Sequence, residues 1–247
     1  MSERLLRETL DEFAGRNIVA DFWLRDDDAV EPTPALEKLL SLCEQFTIPV
    51  TLAVIPEPTG EALVACLDQR SGVDVAVHGW AHKNHAGQQE KKRELGLHRP
   101  LDVVLQELGE GLTSLHRLHG DRFVPMLVPP WNRIDAGVLE HLPQLGYRAL
   151  SVYGPEEDNS LSVLNTHIDV IDWRGTRGGK DHDVLFAETA MCLRRAHETG
   201  RMTGILTHHL DHDERVWTFL RSLFQLTSTH PGCRWRSSRL WLSDGSP

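Results

Sequence analysis

The chain has 247 residues and a formal net charge of −10, with fourteen histidines outside that sum. Forty per cent of it is hydrophobic, enough to bury a sizeable core, which excludes wholesale disorder. The acidic balance argues against nucleic acid or an anionic membrane as the main partner, since both reward a basic face. It leaves the surplus of imidazoles to be explained.

The N-terminus, MSERLLRETLDEF, is charged and lacks the apolar run and small-residue cleavage site of a secretory signal, so a cytoplasmic location is expected. No stretch approaches the roughly 18 apolar residues that span a bilayer. Short apolar, β-branched runs alternate with longer amphipathic segments. The first strand is expected at Ile18–Leu24. A helix follows, with Thr33 as N-cap, Pro34 in its first turn and Leu36, Leu39, Leu40 and Cys43 on one face. Then come a strand at Val50–Ile55, a helix at about 60–70 and a strand at Val73–Val77. A polar loop leads to a helix from about Leu101 to Leu118. Strands at Phe123–Val128, Tyr147–Val152, Ile168–Ile171 and Thr203–Leu206 continue the pattern, with helices near 135–145, 183–199 and 213–227. Roughly seven β/α units favour a parallel sheet, closed as a barrel or open and doubly wound. No repeat or linker divides the chain, so one domain over 1–247 is expected. Cys43, Cys66, Cys192 and Cys233 are scattered without a C-x-x-C pair and read as free thiols.

In a β/α barrel, chemistry collects at the C-terminal ends of the strands. Arg25-Asp26-Asp27-Asp28 follows the first strand and His78-Gly79-Trp80-Ala81-His82 the third. Pro129-Pro130-Trp131-Asn132 follows the fourth, Asp172-Trp173-Arg174 the sixth, and His208-His209 the seventh. Three adjacent carboxylates repel, so the run is either a solvated acidic turn or a site where a bound cation offsets that cost. His78 and His82, four apart, would lie on one side of a helical turn, where two imidazoles and a carboxylate suit a divalent ion with room for water. Gly79 lets the backbone turn tightly. His208 has the right type for a proton donor. The Pro-Pro-Trp stretch is either a rigid turn or a pocket wall whose Trp131 or Asn132 N–H faces an oxyanion.

These pieces, in this order, resemble the polysaccharide deacetylase family, which includes chitooligosaccharide and peptidoglycan deacetylases. Asp27-Asp28, His78 to His82, Val128-Pro129-Pro130-Trp131, Asp172-Trp173 and Leu206-Thr207-His208 are similar to its five motifs. The resemblance implies a distorted TIM-like (β/α)7 barrel of the α/β class. It implies one divalent metal ion, zinc first with cobalt, nickel or manganese as alternatives, held by Asp28, His78 and His82. It also implies removal of an acyl group, acetyl first, from an N-acylated sugar or related compound by metal-activated water. Asp27 would be the general base and His208 the general acid. Pro130, Trp131, Asp172 and Trp173 would form the substrate pocket, with Asp172 fixing a neighbouring histidine or arginine.

The pairing Asp26-Asp27 in place of Asp27-Asp28 stays open. Val128 stands where the family's third motif carries an arginine that orients the base; Arg25, Arg133 or Arg174 are the candidates to replace it. His209 stands where an acidic residue often follows the last motif. Without an export signal, a small-molecule or oligosaccharide substrate is expected in preference to a wall polymer. A cytosolic amidohydrolase on a small non-peptide amide, and a metal-binding module without catalysis, are the alternative functions. The loop from His82 to Arg99 would cap the mouth or be a solvated connection. The tail CRWRSSRLWL would be a closing strand, a sugar-stacking surface or a subunit contact.

Overall fold

The alternating apolar runs wind into parallel strands with helices outside them in the computed structural model, which describes residues 2–244. In chain order the elements are α1 (Ser2–Gly15), β1 (Ala20–Ala29), α2 (Pro34–Phe46), β2 (Val50–Val54), α3 (Glu61–Asp68) and β3 (Val73–Val77). Then follow α4 (Leu101–His119), β4 (Phe123–Leu127), α5 (Ala136–Leu139), α6 (Leu142–Leu145), β5 (Ala149–Leu150), β6 (Ser162–Val163) and β7 (Ile168–Asp169). The chain ends with α7 (His182–Thr199), β8 (Thr203–Thr207), α8 (Glu214–Thr227), β9 (Cys233–Trp235) and α9 (Ser238–Ser243). No helix among the described residues is long and apolar enough to cross a membrane.

The strands run in the order β6-β5-β4-β3-β2-β1-β8-β7, all pairs parallel. β6 and β7 belong to one extended stretch. Its first half pairs with β5 and its second with β8, so it joins the two ends of the sheet as the remaining stave of a distorted (β/α)7 barrel. β9 adds a short strand beside the start of β1, which makes part of the tail a closing strand.

Alternation along the strands divides the core in two. Phe22, Leu24, Leu52, Val54, Val75, Val77 and Ile205 face outward beneath the helices. Trp23, Ala53, Ala76, Met126, Val128 and Ala149 pack together inside the barrel, with Trp241 of α9 among them. The lower end is closed by a hydrogen-bonded set: Thr51 Oγ1 donates to Ser238 Oγ (2.8 Å), and Ser238 Oγ and the Arg239 N–H both donate to Asp74 Oδ2 (3.1 and 3.0 Å).

Helix α2 forms as expected. Thr33 Oγ1 accepts from the Leu36 N–H at 3.0 Å, Pro34 opens the first turn, and Leu36, Leu39, Leu40 and Cys43 are buried. Other boundaries differ. β1 runs on to Ala29, so the three aspartates lie inside the strand and not after it. The helix near 135–145 splits into α5 and α6, the second with Pro143 in its first turn. Helix α1, not anticipated, buries Leu6, Leu10 and Phe13, one stripe at helical spacing. All four cysteines are free.

Gly204 on β8 sits where the interior is tight: a Cβ there would come within 2.4 Å of both the Asn165 carbonyl and Trp23 Nε1, which donates to that same carbonyl at 3.0 Å. Gly204→Ala is therefore expected to destabilise the barrel by about 1–3 kcal/mol through overpacking. Urea denaturation measures it, and a wild-type midpoint would contradict this packing.

Candidate metal centre and catalytic site

The site begins with an irregularity in β1. Asp26 pairs with Leu52, but the next paired residue is Ala29, opposite Val54, so Asp27 and Asp28 together oppose a single residue of β2. This bulge, with Asp28 at φ +70°, turns two successive carboxylates to the same side. Asp26 stays on the outward face with its strand partner Thr207. There the Thr207 hydroxyl and the His209 N–H donate to Asp26 Oδ2 (2.7 and 2.9 Å), and His209 Nδ1 lies 2.5 Å from Oδ1. Burial opposes charge on both groups, yet their contact holds Asp26 below and His209 above their ordinary values.

Asp28 meets the two histidines. His78 Nε2 and His82 Nε2 lie 3.1 and 3.3 Å from Asp28 Oδ1, and the three ligand atoms fall within 4.8 Å of one another. His78 Nδ1 donates to the Val128 carbonyl at 2.9 Å, which leaves Nε2 as the lone-pair nitrogen facing Asp28. The H-x-x-x-H segment is a turn, not the helical turn expected: Gly79 and His82 both adopt positive φ (62° and 53°) and fold the chain back so that the rings sit 5.0 Å apart. A side chain at position 79 has no room, since its Cβ would meet Glu94 Oε2 at 2.0 Å and Pro130 Cγ at 2.6 Å. Burial disfavours a charged Asp28, but the His78 hydrogen bond and the His78, His82 and His208 charges hold its carboxyl well below the usual range. Burial likewise works against charge on His78, which Asp27 and Asp28 together push upward. The carboxylates thus draw positive charge onto His78, while burial and the His78 charge hold His82 below its ordinary value. A divalent cation fits that demand and this donor set.

Asp27 lies beside this cluster and belongs to Arg25. Alternation places Trp23, Arg25 and Asp27 on the inward face, and the Arg25 side chain has no solvent exposure. Its Nε is in ionic contact with Asp27 Oδ1 at 2.8 Å, and Nη2 donates to Asp27 Oδ2 at 3.0 Å. Nη2 also donates to Asn132 Oδ1 (2.8 Å) and Nη1 to Ser151 Oγ (2.7 Å). Of the three arginines considered for the place of Val128, the one that holds Asp27 is Arg25. Arg133 instead donates to the Lys92 carbonyl.

His208 Nε2 stands 3.9 Å from Asp27 Oδ2. Trp173 meets the His208 ring edge-on at 4.9 Å and donates from Nε1 to Asp169 Oδ2 at 2.8 Å. Burial raises Asp169, and the His208 charge acts in the opposite sense. The carboxylate of Asp172, expected in the pocket, accepts from Gly175 N (3.0 Å) and Thr176 N (3.2 Å) of its own turn. The carboxylate beside Trp173 and His208 is Asp169, three residues earlier.

Pro130 is buried against Gly79 and starts a single 3-10 turn in which Trp131 and Asn132 both have φ 55°. The Asn132 N–H donates to the Pro129 carbonyl at 2.9 Å, so it is not free to face an oxyanion. The Trp131 ring lies 4.4 Å from His82 with Lys92 over it at 5.8 Å, and Arg177 lies 5.7 Å from the Trp173 ring. Two tryptophans, each with a cation, therefore stand against His82 and His208. Ser151, Asp169 and Glu94 are not marked by the sequence, and neither is the contact of the Asn132 side chain with Arg25. Only Asp169 carried a signal, in its spacing from Asp172-Trp173.

Neither a protein-family model nor a curated protein sequence matches the chain. Solved structures do. A candidate polysaccharide deacetylase from Mycobacterium smegmatis superposes with a TM-score of 0.68 at 14% identity, covering 92% of this chain and 90% of that one. A family 4 acetyl xylan esterase from Clostridium thermocellum, in complex with a cobalt ion, gives 0.57 at 13% identity over 92% and 93%. A peptidoglycan N-acetylglucosamine deacetylase gives 0.56 at 18% identity over 90% and 87%. The chain shares the barrel fold of these structures over about nine-tenths of its length.

Proposed function

We propose that the chain is a metal-dependent hydrolase that removes an acyl group, acetyl first, from an N-acylated sugar or related compound. The observation that carries this reading is the meeting of Asp28, His78 and His82 beside an arginine-held carboxylate, Asp27, with His208 3.9 Å from it. Similar folds named as deacetylases and esterases, one of them holding cobalt, support it.

Asp28, His78 and His82 would hold a divalent cation, zinc first and cobalt, nickel or manganese as alternatives. When bound, such an ion acidifies water and stabilises negative charge on an acyl oxygen. Asp27 accepts the proton of the attacking water, and Arg25 keeps its carboxylate oriented for that step. His208 delivers a proton to the amine nitrogen as the C–N bond breaks, because an amine does not leave as an anion. Trp173, itself held by Asp169, packs against the His208 ring. The Trp131 N–H is the backbone donor for the developing oxyanion. Trp131 and Trp173 wall the acyl group, and Pro130 seats the Trp131 turn. A cleft of about 410 Å³ beside Asn132, lined in part by Arg93, Arg133, Tyr153 and Asn159, offers polar groups suited to a hydroxyl-bearing substrate.

Three outcomes are expected. Asp27→Asn lowers kcat of the folded enzyme by about 10²–10⁴ and, by leaving buried Arg25 without its countercharge, also costs about 3 kcal/mol of stability. Asp26→Asn costs a similar amount of stability by breaking its own buried pair with His209 but leaves kcat of the folded enzyme close to wild type. Acetate release and denaturant unfolding on both variants separate the roles, and a loss of turnover confined to Asp26→Asn would reverse them. Chelator treatment followed by zinc at a hundredfold excess over Kd should raise Tm by roughly 5–10 °C, from about 2.7 kcal/mol of linkage. His78→Ala abolishes that rise. In a substrate panel, acetylated mono- and oligosaccharides should release acetate faster than small non-sugar amides; the opposite ranking moves the substrate to the latter class.

A further inference from the structure

Between β3 and α4 the chain makes a long polar connection, and one carboxylate in it is buried. Glu94 is 1% exposed. Its Oε1 accepts from the N–H groups of Ala81 (2.9 Å) and Lys83 (3.2 Å), and its Oε2 from that of Trp80 (3.1 Å). All three donors belong to the turn that carries His78 and His82. Of the two backbone irregularities of that turn, the positive φ of Gly79 directly precedes the groups Glu94 binds and that of His82 falls between two of them. A left-handed conformation at a non-glycine residue persists only where its surroundings impose it. Gly79 leaves the space that Glu94 fills, since a Cβ would lie 2.0 Å from Oε2.

The connection is itself fastened. Asn84 Oδ1 accepts from the N–H groups of Ala86 (3.1 Å) and Arg93 (2.9 Å), and the Asp135 N–H donates to the Leu95 carbonyl at 2.9 Å. Arg133 Nη1 donates to the Lys92 carbonyl at 2.9 Å. The segment therefore ties the histidine turn to the stretch that follows Trp131.

We propose that Glu94 is a positioning residue of the metal centre: by binding the N–H groups of residues 80, 81 and 83 it sets the His82 ring against Asp28. This rests on the metal reading of Asp28, His78 and His82. The connection is then a strut of the site and not a solvated link. Carboxylates that orient ligands from behind typically change metal affinity 10–100-fold when removed.

The test uses the full chain, stripped of metal and titrated with cobalt(II), following heat and visible absorption. Glu94→Ala is expected to weaken cobalt binding at least tenfold and to alter the cobalt absorption bands; its metal-free Tm falls as well, since three N–H groups lose their buried acceptor, so binding is read below that Tm, where the chain is folded. Glu94→Gln keeps one acceptor oxygen and should fall between Glu94→Ala and wild type. Glu90→Ala, a neighbouring exposed acid whose contacts are to Gly87 and His98, should bind like wild type. If Glu94→Ala does not fold, Glu94→Gln decides by the same two readouts. Wild-type affinity and wild-type bands in a folded Glu94 variant overturn the role of Glu94 and leave the metal site standing. Absence of cobalt binding by the wild-type chain overturns the metal reading itself, and this inference with it.

Discussion

A guanidinium without solvent exposure inside a barrel is the constraint on which this site depends. Burying Arg25 costs several kcal/mol of desolvation, which only near-complete pairing offsets. The chain supplies it from three places: Asp27 two residues on, Ser151 after β5, and Asn132 in the turn after β4. The same contacts that satisfy the arginine therefore fix three parts of the mouth relative to one another. They also account for Val128. With Arg25 reaching Asp27 along the inner face of β1, the interior position just past β4 is free to be apolar and to pack with Trp23 and Met126.

Alternation in β1 does the sorting that chemistry needs. A regular strand would send Asp26 and Asp28 to one side and Asp27 to the other. The bulge breaks that rule once, between Asp26 and Ala29, and so gives the mouth two carboxylates in succession. The same alternation at the end of β8 turns His208 inward and His209 outward, where His209 meets the outward Asp26. The alternation and the bulge thus separate the outward pair Asp26–His209 from the carboxylates and imidazoles gathered at the mouth.

Much of this was legible in the sequence, and the rest was hidden for definite reasons. Helix α2 announced itself through Thr33, Pro34 and one apolar stripe. The histidine, proline and tryptophan clusters stood at strand ends. The direction of each aspartate was not readable, because a parallel strand buried on both faces has no polar side to set its phase: Phe22, Trp23 and Leu24 are all apolar. The end of β1 was misplaced for a related reason. Charged residues normally stop a strand, but here each charge has a partner inside the fold. Asp172 looked like a site residue because it precedes Trp173, yet its own turn consumes it. Glu94 gave no local signal at all, since its donors are backbone N–H groups whose positions depend on the fold.

The opening puzzle of surplus histidines in an acidic chain resolves into a division of countercharges. Asp26 is answered by His209 and Asp27 by Arg25, which is permanently charged. Asp28 is in contact with His78 and His82, with the His208 charge further off, and His78 has its Nδ1 committed to a backbone carbonyl. Those imidazoles relieve Asp28 in one of two ways, by taking up protons or by sharing a cation while neutral. Protonation would place like charges 5.0 Å apart between ring centres, a repulsion that already holds His82 below its ordinary value, after the larger effect of burial. A shared divalent ion removes that repulsion and neutralises the carboxylate together. Of the three adjacent aspartates, Asp28 is thus the one whose surroundings suit the proposed cation.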